Sequence, residues 1–197
     1  TSPDATSGTA RIVEALPCLP DADIVINLQG DEPELVPSAI KAALASLEEY
    51  PEAHVATLVT PILEKAVLHD PSIVKAELTP WVSESSQQEN GSHLQAWRAI
   101  TFSRAAVPAA REWHDSLLTK IPPLFWQHVG VYAYRRSVLD NWNCLPESTL
   151  AELESLEQLR LIEAGISMIA VAIDQAASGI DTAADYSAFV ERFCNRL

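Results

Sequence analysis

Two aspartates in this 197-residue chain stand where a carboxylate can do chemistry. Asp31 follows an apolar run in the segment Asn27-Leu28-Gln29-Gly30-Asp31-Glu32-Pro33. Ligands of open α/β sheets bind just past the carboxyl ends of strands. Gly30 lets another group approach the backbone closely, and Pro33 stiffens the exit. A carboxylate so placed suits Mg²⁺ when phosphates supply the remaining oxygens, and the bland alternative is a polar turn after a buried strand. Asp181, in Ser178-Gly179-Ile180-Asp181-Thr182, also has two readings: a ligand, or a cap on the helix that follows.

Polar groups at regular spacing supply a second kind of site. His128, Gly130, Tyr132 and Tyr134 alternate and so share one face of a strand, with Gly130 leaving room for a polar ligand. A satisfied structural histidine is the competing reading. Glu154, Glu157 and Gln158 fall at helical spacings as a polar stripe, opposite Leu153, Leu156 and Leu159; a solvated helix face would look the same. Arg104, after Phe102-Ser103, places a guanidinium where it can grip a carboxylate with two parallel hydrogen bonds. No Walker or dinucleotide glycine loop is present, HExxH is absent, and the five histidines lack metal-ligand spacing.

Apolar periodicity alternates between two and 3.6, which predicts an α/β domain. Residues 9–16 read as a short helix stopped by Pro17, and 23–29 as a buried strand. A helix follows with Pro37 in its first turn and Ile40, Ala43, Leu44 and Leu47 facing inward. Strands are expected over 54–59, 73–78, 94–102, 124–134 and 166–173, with a polar surface loop over 80–93. Thr149-Leu150-Ala151-Glu152 reads as a capping box opening one helix that runs to Gly165. Thr182-Ala183-Ala184-Asp185 opens the last helix.

The net charge of −14 disfavours nucleic-acid and anionic-membrane partners, and leaves few cations for a triphosphate. No apolar run reaches the roughly 20 residues of a membrane helix. Cys18, Cys144 and Cys194, odd in number and widely spaced, point to reduced thiols and a cytoplasmic setting rather than a disulfide frame.

Several segments occur together in a telling order: Ser7-Gly8-Thr9-Ala10-Arg11, Gln29-Gly30-Asp31-Glu32-Pro33, Asp70-Pro71-Ser72-Ile73-Val74-Lys75, Phe102-Ser103-Arg104, His128 to Arg135, Leu156-Glu157-Gln158-Leu159-Arg160 and Gly179-Ile180-Asp181-Thr182. In that order the chain resembles the 3-deoxy-manno-octulosonate cytidylyltransferases (CMP-Kdo synthetases) over nearly its whole length. The resemblance implies a Rossmann-type three-layer α/β sandwich of the nucleotide-diphospho-sugar-transferase kind. Residues 1–197 would form one domain, with a smaller dimerising lobe inserted at about 73–124 and containing Trp81, Trp97 and Trp113.

It implies a Mg²⁺-dependent transfer of CMP from CTP to 3-deoxy-manno-octulosonate (Kdo), serving lipopolysaccharide synthesis in a homodimer. Asp31 and Asp181 would hold the metal and be the catalytic pair. Ser7, Gly8 and Arg11 would lie near the nucleotide, and Arg104, His128, Tyr132, Glu154, Glu157 and Gln158 would line the sugar site. Ala5 and Ala10 depart from the family's usual His and acidic residue. The family's opening strands and its basic triphosphate loop have no counterpart, so the chain reads as N-terminally truncated and is expected to be inactive alone. A sialic-acid-type cytidylyltransferase and a non-catalytic dimerisation remnant are the competing expectations.

Overall fold

The computed structural model describes residues 1–5, 7–30, 33–81, 96–174, 179–180 and 182–194. Six strands form one mixed sheet: β1 (Ile24–Asn27), β2 (Val55–Pro61), β3 (Lys75–Pro80), β4 (Ala96–Ser103), β5 (Trp126–Arg135) and β6 (Met168–Ala172). Their order is β1-β5-β2-β6-β4-β3; β2 and β6 run parallel, and the other pairs antiparallel.

Alternation along the strands divides the core. Val129, Val131 and Ala133 of β5 face one side, where α2 (Pro37–Glu49) packs Ala39, Ala43 and Leu47 against Leu58 and Ile169. Tyr132 and Tyr134 face the other. There they meet residues from α1 (Gly8–Ala15), α4 (Arg136–Asp140) and α6 (Gln158–Glu163), while α3 (Lys65–His69) adds Leu68 to a smaller cluster with Ile62, Leu118 and Phe125. Helices on both faces of a sheet make the three-layer α/β sandwich that the resemblance implies, within the α/β class that the periodicity predicts. Among the described residues no helix is long and apolar enough to cross a membrane.

The buried face of α2 is rotated from the expected one. Ala39, Ala43, Ser46 and Leu47 are buried, whereas Ile40 and Leu44 are half-buried. Small residues let the helix lie close to the sheet, and Ser46 satisfies its hydroxyl on the Ala43 carbonyl at 2.8 Å. Trp97 packs in the core at 5.5 Å from Trp126, and Trp113 lies 5.8 Å from Phe125.

The helix expected from Thr149 to Gly165 is two helices, α5 (Thr149–Glu154) and α6. Ser155 between them is left-handed at φ 53°, a conformation that costs a non-glycine residue roughly 1–2 kcal/mol. Two contacts offset that cost. Glu154 accepts hydrogen bonds from Ser103 Oγ at 2.9 and 3.0 Å, and Leu156 becomes buried while Leu153 stays exposed. The cap also shifts by one residue: Ser148 Oγ, not Thr149, accepts from Ala151 N at 2.9 Å. The expected stop at Gly165 is present. Its φ of 74° lets Ile166 N reach Leu161 O and Gly165 N reach Ile162 O, which satisfies the last carbonyls of α6.

Candidate active site

β5 has two partners along one side. Its C-terminal half pairs with β1 (Asn27 opposite Tyr132), and its first residues pair with β3 (Lys75 opposite Gln127). Between the end of β1 and the start of β3, that side of β5 faces no strand over residues 128–131 among the described residues. On its other side the register against β2 shifts at Thr57/Leu58 over the same stretch. A cavity of about 1020 Å³ opens here. The local order of strands is interrupted at this point, which is where open sheets accept ligands.

The polar face of β5 makes one wall, with His128, Gly130, Tyr132 and Tyr134 all on the cavity. The expected sharing of a face therefore holds. His128 is buried, and its Nε2 lies 2.9 Å from Thr57 Oγ1. Since the Thr57 hydroxyl donates to Val131 O at 2.9 Å, its oxygen is left to accept the imidazole proton. Nδ1 is then an acceptor. Burial pushes the imidazole pKa down to about 3, so the ring is neutral at physiological pH. Phe102 packs edge-on against it at 4.8 Å. Tyr134 is also buried, its phenol pKa raised chiefly by burial, with its hydroxyl 3.4 Å from Thr9 Oγ1.

Gly8, Thr9 and Arg11 bring the start of α1 to the cavity. Ser7 caps this helix, its Oγ accepting from Ala10 N at 3.1 Å. Ser7 does not line the cavity itself, but it donates a short hydrogen bond to Glu157, whose other oxygen accepts from Thr9 N at 3.3 Å. Ser7 and Glu157, expected on nucleotide and sugar sides respectively, are thus in contact. A carboxylate at a helix N-terminus also complements the exposed N–H groups there.

Ser155, Leu156, Glu157 and Gln158 form the opposite wall, and Ser72, Ile73 and Val74 the end near β3. Glu154 does not share a stripe with Glu157 and Gln158, because the left-handed Ser155 turns it away from them. It binds Ser103 Oγ and Arg104 N instead. Arg104 is not among the lining residues. Its Nε donates to Glu154 O at 2.8 Å and one terminal nitrogen donates to Pro71 O at 3.1 Å.

Asp31 and Asp181 lie outside the described residues. Gln29 and Gly179, each two positions before one of them, both line the cavity. The segments that follow are clasped together: Arg192 of α7 (Ala183–Cys194) donates to Glu34 Oε2 at 2.6 and 3.0 Å. Thr182 opens α7 in a reciprocal cap with Asp185, so the cap reading at this loop is met by Thr182. Among the described residues no cluster of three His, Cys, Asp or Glu side chains could hold a metal.

Several contributors to the site carry no sequence label. Gln29 Nε2 bridges the gap by donating to Gly130 O at 2.9 Å. Asn27 and Gln127 line the walls, and Thr57 orients His128. A threonine amid the apolar residues of β2, which also holds Thr60, was the signal available for the last.

The family profile for cytidylyltransferases matches residues 1–170. The chain belongs to the cytidylyltransferase family. A 3-deoxy-manno-octulosonate cytidylyltransferase of Rhodopirellula baltica is 44% identical over 193 residues, covering 98% of this chain and 71% of the relative. The enzyme of the same name from Azorhizobium caulinodans is 40% identical over 185 residues, covering 92% of this chain and 65% of the relative. A solved CMP:2-keto-3-deoxy-manno-octonic acid synthetase complexed with CTP superposes with TM-score 0.79 at 36% identity, over 98% of this chain and 70% of that one. An apo UDP-glucose pyrophosphorylase shares the fold alone, with TM-score 0.56 at 12% identity, over 96% of this chain and 60% of that one. Membership places the chain among nucleotidyltransferases, in a mixed α/β fold.

Proposed function

We propose that this cytidylyltransferase chain builds the site in which CMP passes from CTP to 3-deoxy-manno-octulosonate, with release of pyrophosphate. The observation that carries this reading is the cavity at the β1/β3 gap. It is large enough for a nucleotide and a sugar side by side. The start of α1 and Arg11 stand at one end, and hydrogen-bonding groups suited to a polyol stand along β5 and α6. The likeness to the CTP-complexed synthetase supports the nucleotide assignment.

In this reading the sugar's anomeric oxygen attacks the α-phosphorus as the bond to pyrophosphate breaks. Neutral His128 presents Nδ1 as an acceptor to a sugar hydroxyl, and Tyr132 and Gln158 give further polar contacts. Glu157 carries the sugar wall onto the cap of α1, which keeps the two substrates' subsites in register. The carboxylates of Asp31 and Asp181 are donors of the kind that suits Mg²⁺, and Gln29 and Gly179, two positions before them in sequence, line the cavity. Held there, the ion would offset charge on the phosphate oxygens.

Isothermal calorimetry of the chain with CTP and with the octulosonate tests the assignment. Both should bind, the sugar acid more tightly when CTP and Mg²⁺ are present. Failure of the octulosonate to bind under either condition refutes it.

A further inference from the structure

Lys75 is completely buried, yet among the described residues its ammonium meets no carboxylate. Its three protons go to backbone carbonyls: Asp70 O at 2.8 Å, Ile73 O at 2.6 Å and Arg104 O at 2.5 Å. Burial lowers its pKa, opposed by the charge of Asp70. An ammonium has three donors, and all are used. A buried charge is weak evidence for stability, because desolvation offsets what its contacts contribute. What these contacts fix is position.

They join two pieces of the cavity that do not touch in sequence. On one side, Asp70 and Ile73 belong to the loop that presents Ser72, Ile73 and Val74 to the cavity. That loop is shaped by Asp70 Oδ1, which accepts from Ser72 N and Ser72 Oγ at 2.8 and 2.6 Å. On the other side, Arg104 connects to Glu154 through its N–H at 2.5 Å and its Nε at 2.8 Å. Glu154 ends α5 immediately before Ser155, where the wall 155–158 begins. A second tie, Arg104 to Pro71 O at 3.1 Å, runs beside the first. None of Lys75, Arg104 or Glu154 lines the cavity.

We infer that Lys75 is a positioning residue for sugar-acid recognition: acting through Arg104 and Glu154, it fixes the spacing between the walls 72–74 and 155–158. Arg104, expected from the sequence as a carboxylate ligand, serves in this strut. The inference deepens the functional reading above and rests on it for the identity of the ligand.

The test combines amide hydrogen exchange of the unliganded chain with calorimetry, on wild type and Lys75→Met, which keeps length and loses all three donors. Exchange should rise about tenfold at residues 72–74 and also across the strut at 155–158. Octulosonate affinity should fall by about tenfold, with CTP affinity changed less than about twofold. Leu47→Ala, in the core under α2, is the control: it should lower stability without that selectivity. Exchange that rises only around Lys75, or uniformly as in Leu47→Ala, overturns the inference. Glu154→Gln decides the matter if Lys75→Met does not fold, by loosening or not loosening 72–74 from the far side. If wild type binds no octulosonate, the functional reading fails, while the exchange pattern still decides whether the strut exists.

Discussion

His128 ties the stability of the sheet to pH in a way that can be measured against one substitution. The unfolded chain takes up a proton on this imidazole near its ordinary pKa of 6.5, whereas the buried ring in the fold resists protonation down to about 3. Between those values the unfolded state binds more protons, so stability is lost as pH falls below 6.5. At about 1.4 kcal/mol per unit, the loss specific to His128 between pH 7 and pH 5 comes to roughly 2 kcal/mol. His128→Gln keeps an N–H for Thr57 Oγ1 and removes the titration. Urea unfolding of both proteins at pH 7 and pH 5 isolates the difference, since the other four histidines are common to both. Wild type should lose about 2 kcal/mol more than the variant over that interval. Equal losses would show that His128 is not held neutral by burial. The same neutrality means that octulosonate affinity should show no His128 titration between pH 5 and 8.

Asp31→Asn and Asp181→Asn should each abolish the Mg²⁺-dependent strengthening of CTP binding, a loss of about tenfold or more by calorimetry with and without chelator; an unchanged increment would remove that aspartate from the metal assignment. Ser7→Ala removes the cap of α1 and the partner of Glu157, and should cost about 1 kcal/mol in denaturant unfolding. A cost within error of zero would mean that Glu157 alone holds the helix start. Among the described lining residues Arg11 is the one cation, against Glu157 and Asp185. Pyrophosphate release from CTP and the octulosonate by these 197 residues alone should therefore stay at background in millimolar Mg²⁺; robust release would mean that other groups hold the triphosphate.

What could be read in advance follows the range of the interactions involved. The stop at Gly165 is legible because a residue at positive φ is demanded locally, and the face shared by His128 and Tyr132 follows from strand alternation alone. The break at Ser155 is not legible: the partners of Glu154 that offset it come from residues 103–104, far away in sequence. Likewise, the inward face of α2 depends on how closely the helix approaches the sheet, and Ala39 with Ser46 displaced the larger Ile40 and Leu44. The type of site residue was legible, since an alternating His, Tyr and Tyr implies a polar wall. The cavity itself was not, because it exists only where β1 and β3 meet β5 in line.

That arrangement of strands also bears on how the chain is made. Among the described residues β1 pairs with β5 alone, and β2 with β5 and β6. A ribosome adding about 5–20 residues per second thus delivers β5, the partner of residues 24–27 and 55–61, on the order of ten seconds after them. β2, buried along nearly its whole length in the fold, waits for β5 throughout that interval. β5 is a late strand that recruits the early ones and β6 closes the sheet after it, so the interval before β5 and β6 emerge is the one in which a nascent copy is most open to pairing with a neighbour.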